Sequence, residues 1–182
     1  MVEYTNDANP VQLPCKHNFC LNCVVQCYTK GFLLCAICKT CYGTMIGSMP
    51  PGKLSISHHP PGTIPLEGHE NEGTIVLNMH IKSGIQGPDH PNPGEPYDGT
   101  SRTAYLPDNS EGRELLELFK VAWERKLMFR VGTSVTTGAE NQVVWNGIHM
   151  KTNTHGGATS FGYPDPTYGQ RVKEELAAKN IK

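Results

Sequence analysis

The clearest periodic stretch spans residues 111–126. Leu115, Leu118, Phe119 and Ala122 recur at three- and four-residue steps, with Leu116 and Trp123 flanking them. One apolar stripe at that period predicts an amphipathic helix. Pro107, Asp108 and Asn109 supply a turn and an N-cap before it. A second helix is expected to open at Asp165-Pro166 and run to about residue 179, with Val172 and Leu176 inward and Asn180 near its end. Strands follow from alternation. In residues 73–80, Ile75, Leu77 and Met79 share one face, and Val76 is the exception on the other. Further strands are expected over 102–106, over 127–131 with Leu127, Phe129 and Val131 on one face, and over 142–148. A short helix is expected over 21–30. Residues 47–62, rich in Gly, Pro, Ser and His, read as a connection rather than a packed element, with His58 and His59 in a solvated loop. Residues 84–99 read as one long loop around His90-Pro91-Asn92-Pro93-Gly94, a length at which loops are often functional.

The pattern therefore gives an α+β region of about four strands and two helices, preceded by a segment too short to fold on an apolar core. Composition sharpens the contrast. All seven cysteines lie between Cys15 and Cys41. A small segment of this kind needs a staple. An odd cysteine count, polar opening residues with no secretory signal, and no Asn-x-Ser/Thr sequon favour metal over disulfides in a reducing compartment, cytoplasm or nucleus. The spacing is C-x-H-x2-C-x2-C-x11-C-x2-C from Cys15 to Cys38. Zinc takes four tetrahedral ligands, and a C-x2-C pair offers two from one turn. The order Cys15, His17, Cys20, Cys23, Cys35, Cys38 matches the last six ligands of a RING finger. In the interleaved arrangement, Cys15 and His17 join Cys35 and Cys38 around one zinc. Cys20 and Cys23 would share a second zinc with an earlier cysteine pair that does not precede Cys15. The RING is then truncated, or recruits Cys27 or Cys41, or leaves that second site empty.

The formal net charge of −1 argues against a nonspecific basic nucleic-acid binder. No apolar run reaches the ~20 residues of a membrane helix. Walker, GxGxxG and GxSxG motifs are absent.

Four segments carry a resemblance. His90-Pro91-Asn92-Pro93-Gly94, Arg102-Thr103-Ala104-Tyr105-Leu106-Pro107-Asp108-Asn109, Trp145-Asn146-Gly147-Ile148-His149 and Gly162-Tyr163-Pro164-Asp165-Pro166 stand in the order and spacing of the Deltex family of E3 ubiquitin ligases. From about residue 13 to 182 the chain resembles the RING plus Deltex C-terminal domain of that family. The resemblance implies a RING-type zinc module over 1–46 that lacks its first ligand pair, a linker over 47–62, and a Deltex C-terminal domain over 63–182. It implies an enzyme that recruits a ubiquitin-charged E2 and binds NAD or ADP-ribose. Ubiquitin would pass to protein lysines, and to a ribose hydroxyl of ADP-ribose that is free or carried on protein or nucleic acid.

By position in the resemblance, Glu175 matches a catalytic glutamate and His149 a pocket histidine with a part in catalysis. Ser134 and Thr136 match a pocket loop over 133–138. Trp145, Asn146, His149, Phe161 and Tyr163 complete the implied ligand contacts, and Tyr168 is as readily packing as contact. Several members carry His at the place of Phe161. Phe161 has no proton to move, but it can stack on a base or close the pocket. His155 in the neighbouring loop is a candidate to reach in instead. The competing reading is a non-catalytic ADP-ribose or NAD binder with a defective RING. A third is a scaffold that joins partners through its zinc module.

Overall fold

The structure, a computed structural model, describes residues 10–29 and 31–182. Residues 1–9 of the expected zinc module, and Lys30 at the end of its expected helix, lie outside the described residues.

The cysteine-rich segment is built from short pieces. Strands β1 (Val11–Gln12) and β2 (Asn18–Phe19) pair antiparallel and carry Cys15 and His17 on the turn between them. Helix α1 covers Leu21–Cys27. It is followed by a three-stranded sheet of β3 (Tyr28–Thr29), β4 (Phe32–Leu34) and β5 (Cys41–Gly43). The β4–β5 turn carries Cys35 and Cys38. Both ligand-bearing turns close through a lysine with positive φ, Lys16 at 65° and Lys39 at 60°. Leu13, Phe19, Val24, Cys27, Leu33 and Leu34 face inward around a filled centre. So few side chains cannot offset the chain entropy of ordering the segment.

The main body is centred on a three-stranded antiparallel sheet of order β10-β7-β6. These strands are β6 (Gly52–His59), β7 (Thr74–Ile81) and β10 (Thr100–Pro107). The hairpin β8 (Gly84–Ile85) and β9 (Pro96–Tyr97) lies between β7 and β10 in the chain. Helix α2 (Ser110–Glu124) follows, capped by the Asn109 side chain, which accepts from the Gly112 amide at 2.9 Å. Strands β11 (Phe129–Gly132) and β12 (Gln142–Trp145) form a separate antiparallel pair. A single 3-10 turn (Ala158–Ser160) precedes helix α3 (Tyr168–Ala178).

The core lies where the sheet meets the two helices. Ile75, Leu77 and Met79 are buried as their alternation requires, together with Leu115, Phe119 and Ala122 of α2 and Val172 and Leu176 of α3. At roughly 1.5–3 kcal/mol for each fully buried large apolar side chain, this face supplies the main driving force for folding.

Two expectations are corrected. The segment 47–62 is not an unpacked connection. Gly52–His59 forms the edge strand of the central sheet, pairing Leu54 with Met79 and Ile56 with Leu77. His58 and His59 therefore sit on a strand, where His58 Nδ1 lies 2.8 Å from Asp108 Oδ2 and His59 Nε2 lies 3.0 Å from Ser57 Oγ. The segment 84–99 is not a single open loop. Besides its hairpin, His90 ties it down: Nε2 lies 2.8 Å from the Ser48 carbonyl, and Nδ1 accepts from the Gly87 amide. Five elements are shorter than expected. Helix α1 stops at Cys27, α2 stops at Glu124, β11 starts at Phe129, β12 ends at Trp145, and α3 starts at Tyr168 rather than at Asp165-Pro166.

Candidate functional site

Among the described residues, two clusters of chemistry-bearing side chains stand out as candidate sites. The first is a sulfur-rich cluster. Ligand atoms of Cys15, His17, Cys35 and Cys38 all lie within 4.8 Å of one another and could hold a metal ion. The Cys15 and Cys35 sulfurs are 3.6 Å apart, and Cys35 Sγ is 3.5 Å from His17 Nδ1. Zinc bonds of about 2.3 Å to sulfur and 2.0 Å to nitrogen set tetrahedral edges of roughly 3.5–3.8 Å. The donor set and its spacing therefore fit zinc. The Cys15 thiol is lowered to about 7, chiefly by the Tyr42 hydroxyl, so it ionises readily for a metal. A hydrogen bond to Thr40 lowers Cys38 in the same direction.

Cys20 and Cys23 form a separate pair at the start of α1, with sulfurs 2.9 Å apart. Among the described residues no third metal-type ligand joins them. Cys27 faces the interior of the segment, and Cys41 is buried.

The second place is a cleft at the end of β12. Trp145, Gly147, Ile148, Thr152 and Phe161 line one half, of about 250 Å3. Thr159, Tyr168, Arg171 and Glu175 line the other, of about 410 Å3. His149, Met150 and Phe161 belong to both halves. The two together fall in the range of small-molecule sites, ~300–1,000 Å3.

Each wall has a local cause. Trp145 stands opposite Phe129 in the β11–β12 register, and the rings stack at 4.4 Å with 23° between planes. Such a cross-strand pair fixes the indole and contributes about 0.5–1.5 kcal/mol beyond its buried area. The chain then turns at Asn146 and Gly147. The Asn146 amide donates to the Met128 carbonyl, its side chain donates to the Leu127 carbonyl at 3.1 Å, and Gly147 has φ +70°. This turn buries Ile148 and brings His149 out to the cleft.

Phe161 is 58% exposed and left-handed, with φ 55° and ψ 28°. A bulky side chain in that region costs roughly 1–2 kcal/mol. The Phe161 carbonyl accepts from the amides of Thr152 and Asn153 at 3.0 and 3.2 Å, which holds the conformation. The next residue must be glycine, because a Cβ on Gly162 would lie 1.8 Å from the His155 carbonyl oxygen.

Glu175 meets His149 at the centre. Glu175 Oε2 accepts from the His149 amide at 2.8 Å, and Oε1 lies 2.5 Å from His149 Nδ1. The neighbouring Glu174 turns away to accept from Gln170. The Tyr168 hydroxyl donates to the His149 carbonyl at 3.1 Å, fixing the same residue from below. Burial raises Tyr168 far above the usual phenol range, so it stays a donor. Beneath it, Lys151 and Asp165 form a buried pair at 2.6 Å, with side chains 4% and 3% exposed. Burial pushes the Asp165 carboxyl up, but hydrogen bonds from Arg171 and Lys151 outweigh it and hold it at about 2.

The structure thus brings Glu175, His149, Trp145 and Phe161 together. Asn146 supports the cleft through the backbone rather than lining it. Tyr163 is not at the surface of the cleft. It is 2% exposed, and its hydroxyl donates to the Tyr105 carbonyl at 3.0 Å. Its aromatic neighbours at Gly-Tyr-Pro are core contacts, His69 and Tyr168. Ser134 and Thr136 are not among the lining residues. The Ser134 hydroxyl instead accepts from the Thr137 amide within its own turn. His155 lies in the loop behind Phe161, beside Thr154. Sequence reasoning missed Arg171 and Lys151. Arg171 stands four residues before Glu175, one helical turn away on the same face, a spacing that could have revealed it.

The sequence matches known proteins. A family model described as the Deltex C-terminal domain matches residues 46–181. Its start fits the strand at Gly52–His59, ahead of the boundary expected at residue 63. The chain is 45% identical over 168 residues to the probable E3 ubiquitin-protein ligase DTX3 of Homo sapiens, covering 92% of this chain and 48% of that protein. It is 44% identical over 173 residues to the E3 ubiquitin-protein ligase DTX4 of Mus musculus, covering 92% and 28%. It is 43% identical over 173 residues to the E3 ubiquitin-protein ligase DTX1 of Homo sapiens, covering 92% and 27%. The chain spans about half of the first relative's length and less of the others.

Proposed function

The chain belongs to the Deltex C-terminal domain family, and on that premise we propose that it is a ubiquitin ligase whose cleft binds ADP-ribose or NAD. The names of its relatives, E3 ubiquitin-protein ligases, support the ligase reading. The observation that carries the cleft reading is the Glu175 carboxylate, held by two contacts to His149 in the half of the cleft that adjoins the half walled by Trp145 and Phe161.

In this reading the cysteine-rich segment is a RING-type module. Cys15, His17, Cys35 and Cys38 hold zinc, which ties the β1–β2 and β4–β5 turns into one unit. Cys20 and Cys23 offer two of the four donors that a second site needs. The exposed Leu21, Val25 and Ile37 offer apolar surface to a ubiquitin-charged E2. The reducing conditions that thiolate ligands need are met in cytoplasm or nucleus.

The transfer needs little from the protein beyond placement and a base. A ribose hydroxyl of ADP-ribose attacks the thioester carbonyl at the ubiquitin C-terminus. Glu175 accepts the hydroxyl proton, the conjugating enzyme's cysteine leaves as thiolate, and an ester joins ubiquitin to the ribose. His149 and Tyr168 hold the carboxylate in place. Phe161 and Trp145 offer faces on which a nucleobase or nicotinamide stacks. Lysine acceptors use the charged conjugating enzyme directly. ADP-ribose on protein or nucleic acid enters the same cleft, which is open to solvent on the Phe161 side.

Phe161 also supports a second reading, a binder that does not transfer, because no ionisable group stands there. One experiment separates the two. A pre-charged conjugating enzyme is incubated with this protein, with and without ADP-ribose. Discharge accelerated by ADP-ribose is the expected result. Saturable ADP-ribose binding with an unchanged discharge rate would leave the second reading.

A further inference from the structure

Around the polar half of the cleft, the charges do not balance without Arg171. Glu175 brings one negative charge. His149 is engaged with Glu175. Lys151 and Asp165 cancel each other in the interior, where the Lys151 ammonium also lies 5.0 Å from the Tyr168 ring centre. The remaining cation at this wall is Arg171, one helical turn before Glu175. We propose that Arg171 is the specificity-determining cation of the cleft and selects ligands that carry phosphate. The proposal rests on the nucleotide-binding reading above, and it names the part of the ligand the polar half takes.

The arrangement suits a clamp that changes partners. Arg171 is 50% exposed, with Nη2 at 2.7 Å from Asp165 Oδ2 and Nη1 at 2.6 Å from Thr167 Oγ1. Asp165 has a second cation besides it. When the guanidinium swings toward the cleft, the carboxylate keeps Lys151 at 2.6 Å. Lys151 cannot make the same move, because its ammonium is enclosed and leaving would strand a buried carboxylate. A guanidinium meets phosphate through paired N–H donors in one plane, whereas an ammonium acts as a point charge. Without Arg171 the polar half presents Glu175 to the ligand, and a diphosphate would be repelled. With it, an anionic group is held beside the carboxylate while uncharged nucleosides gain nothing. The ligand class is a nucleoside diphosphate joined to a sugar, with its flat base or nicotinamide end toward Trp145 and Phe161.

The test is calorimetric titration of the full chain with ADP-ribose at low and high salt. Wild type, Arg171→Gln and Arg171→Lys are compared, each checked for its unliganded melting temperature. Arg171→Gln should lose roughly ten- to hundredfold in affinity, the range of a charge-assisted hydrogen-bond pair. It should also lose most of the salt dependence, because the charge that salt screens is gone. Arg171→Lys should keep the salt dependence and recover part of the affinity. Melting should fall only by a few degrees, since Asp165 retains Lys151. An Arg171→Gln protein with wild-type affinity overturns the proposal. So does one whose affinity falls while its salt dependence stays, which is the signature of a structural role alone. Absence of ADP-ribose binding by wild type overturns the nucleotide reading itself, which is a different result from either.

Discussion

At the scale of single residues, the site depends on which partner each acidic side chain meets. Glu175 and Glu174 are adjacent in sequence and alike in chemistry, yet Glu174 accepts from Gln170 and only Glu175 faces His149. That distinction is not written in composition or periodicity. It comes from where the Trp145–His149 turn delivers His149, so the resemblance to a known motif was needed to select the residue. Asp165 is a further case. The helix expected to open at it starts three residues later, at Tyr168, and its role as the buried counter-ion of Lys151 was not legible. With its carboxyl at about 2 against ~3.9 when unfolded, Asp165 contributes about 2 kcal/mol of stability at neutral pH. The folded value is depressed, so the contribution is fully present above about pH 4 and is lost as pH falls through about 2. Urea unfolding followed by tryptophan fluorescence reports on this body alone, because both tryptophans lie in it. Asp165→Asn should lower the midpoint at pH 7 by the equivalent of about 3–5 kcal/mol, since it strands a buried ammonium, and the midpoint should fall less between pH 4 and 2.

At the scale of elements, the helices α2 and α3 and the strands β7 and β10 were legible because each buries one face at its own period. Strand β6 was not. Leu54 and Ile56 alternate with Ser55 and Ser57, but only two apolar residues carry the pattern, and Gly and Pro crowd both ends. As an edge strand it buries one side lightly, so its sequence is under weak demand to announce itself. The zinc-segment strands are two or three residues long, and their turns are set by ligand spacing rather than by hydrophobic period. The loop over 152–162 is the element that gives the cleft its Phe161 wall. It is held at Gly156 by Glu67 Oε2 at 3.0 Å and at Gly162 by the close approach of the His155 carbonyl. Gly162→Ala should force that loop open, because no side-chain rotation relieves a clash with backbone. ADP-ribose affinity should drop by tenfold or more while far-UV circular dichroism stays that of a folded protein. Unchanged affinity would show that the Phe161 wall is not part of the binding surface.

At the scale of the whole molecule, two kinds of stabilisation are joined end to end. The cysteine-rich segment carries the proposed zinc cluster of Cys15, His17, Cys35 and Cys38, and the body after it rests on an apolar core. The junction is short: the Gly47 amide donates to the Arg125 carbonyl, and the Asn180 side chain donates to the Gly43 carbonyl at 2.7 Å. Removing zinc with a strong chelator should therefore unfold the first part and leave the second intact. Backbone amide exchange should rise over 10–43 and stay protected over 74–81 and 115–122. ADP-ribose should still bind, while discharge of a charged conjugating enzyme should stop. The division of the chain at its cysteines was legible from the start. The boundary was not, because the strand at Gly52–His59 lies inside what looked like a linker.

The central claim is that the cleft transfers ubiquitin to ADP-ribose with Glu175 as the base. The most direct measurement is the intact mass of ubiquitin after incubation with its activating enzyme, a conjugating enzyme, ATP, this protein and ADP-ribose, beside a Glu175→Gln sample. The account predicts a ubiquitin–ADP-ribose adduct with the wild-type protein and its loss in the variant, with lysine-linked products retained. An adduct formed equally well by Glu175→Gln would contradict it, as would no adduct from a wild-type protein that binds ADP-ribose and still builds lysine-linked chains.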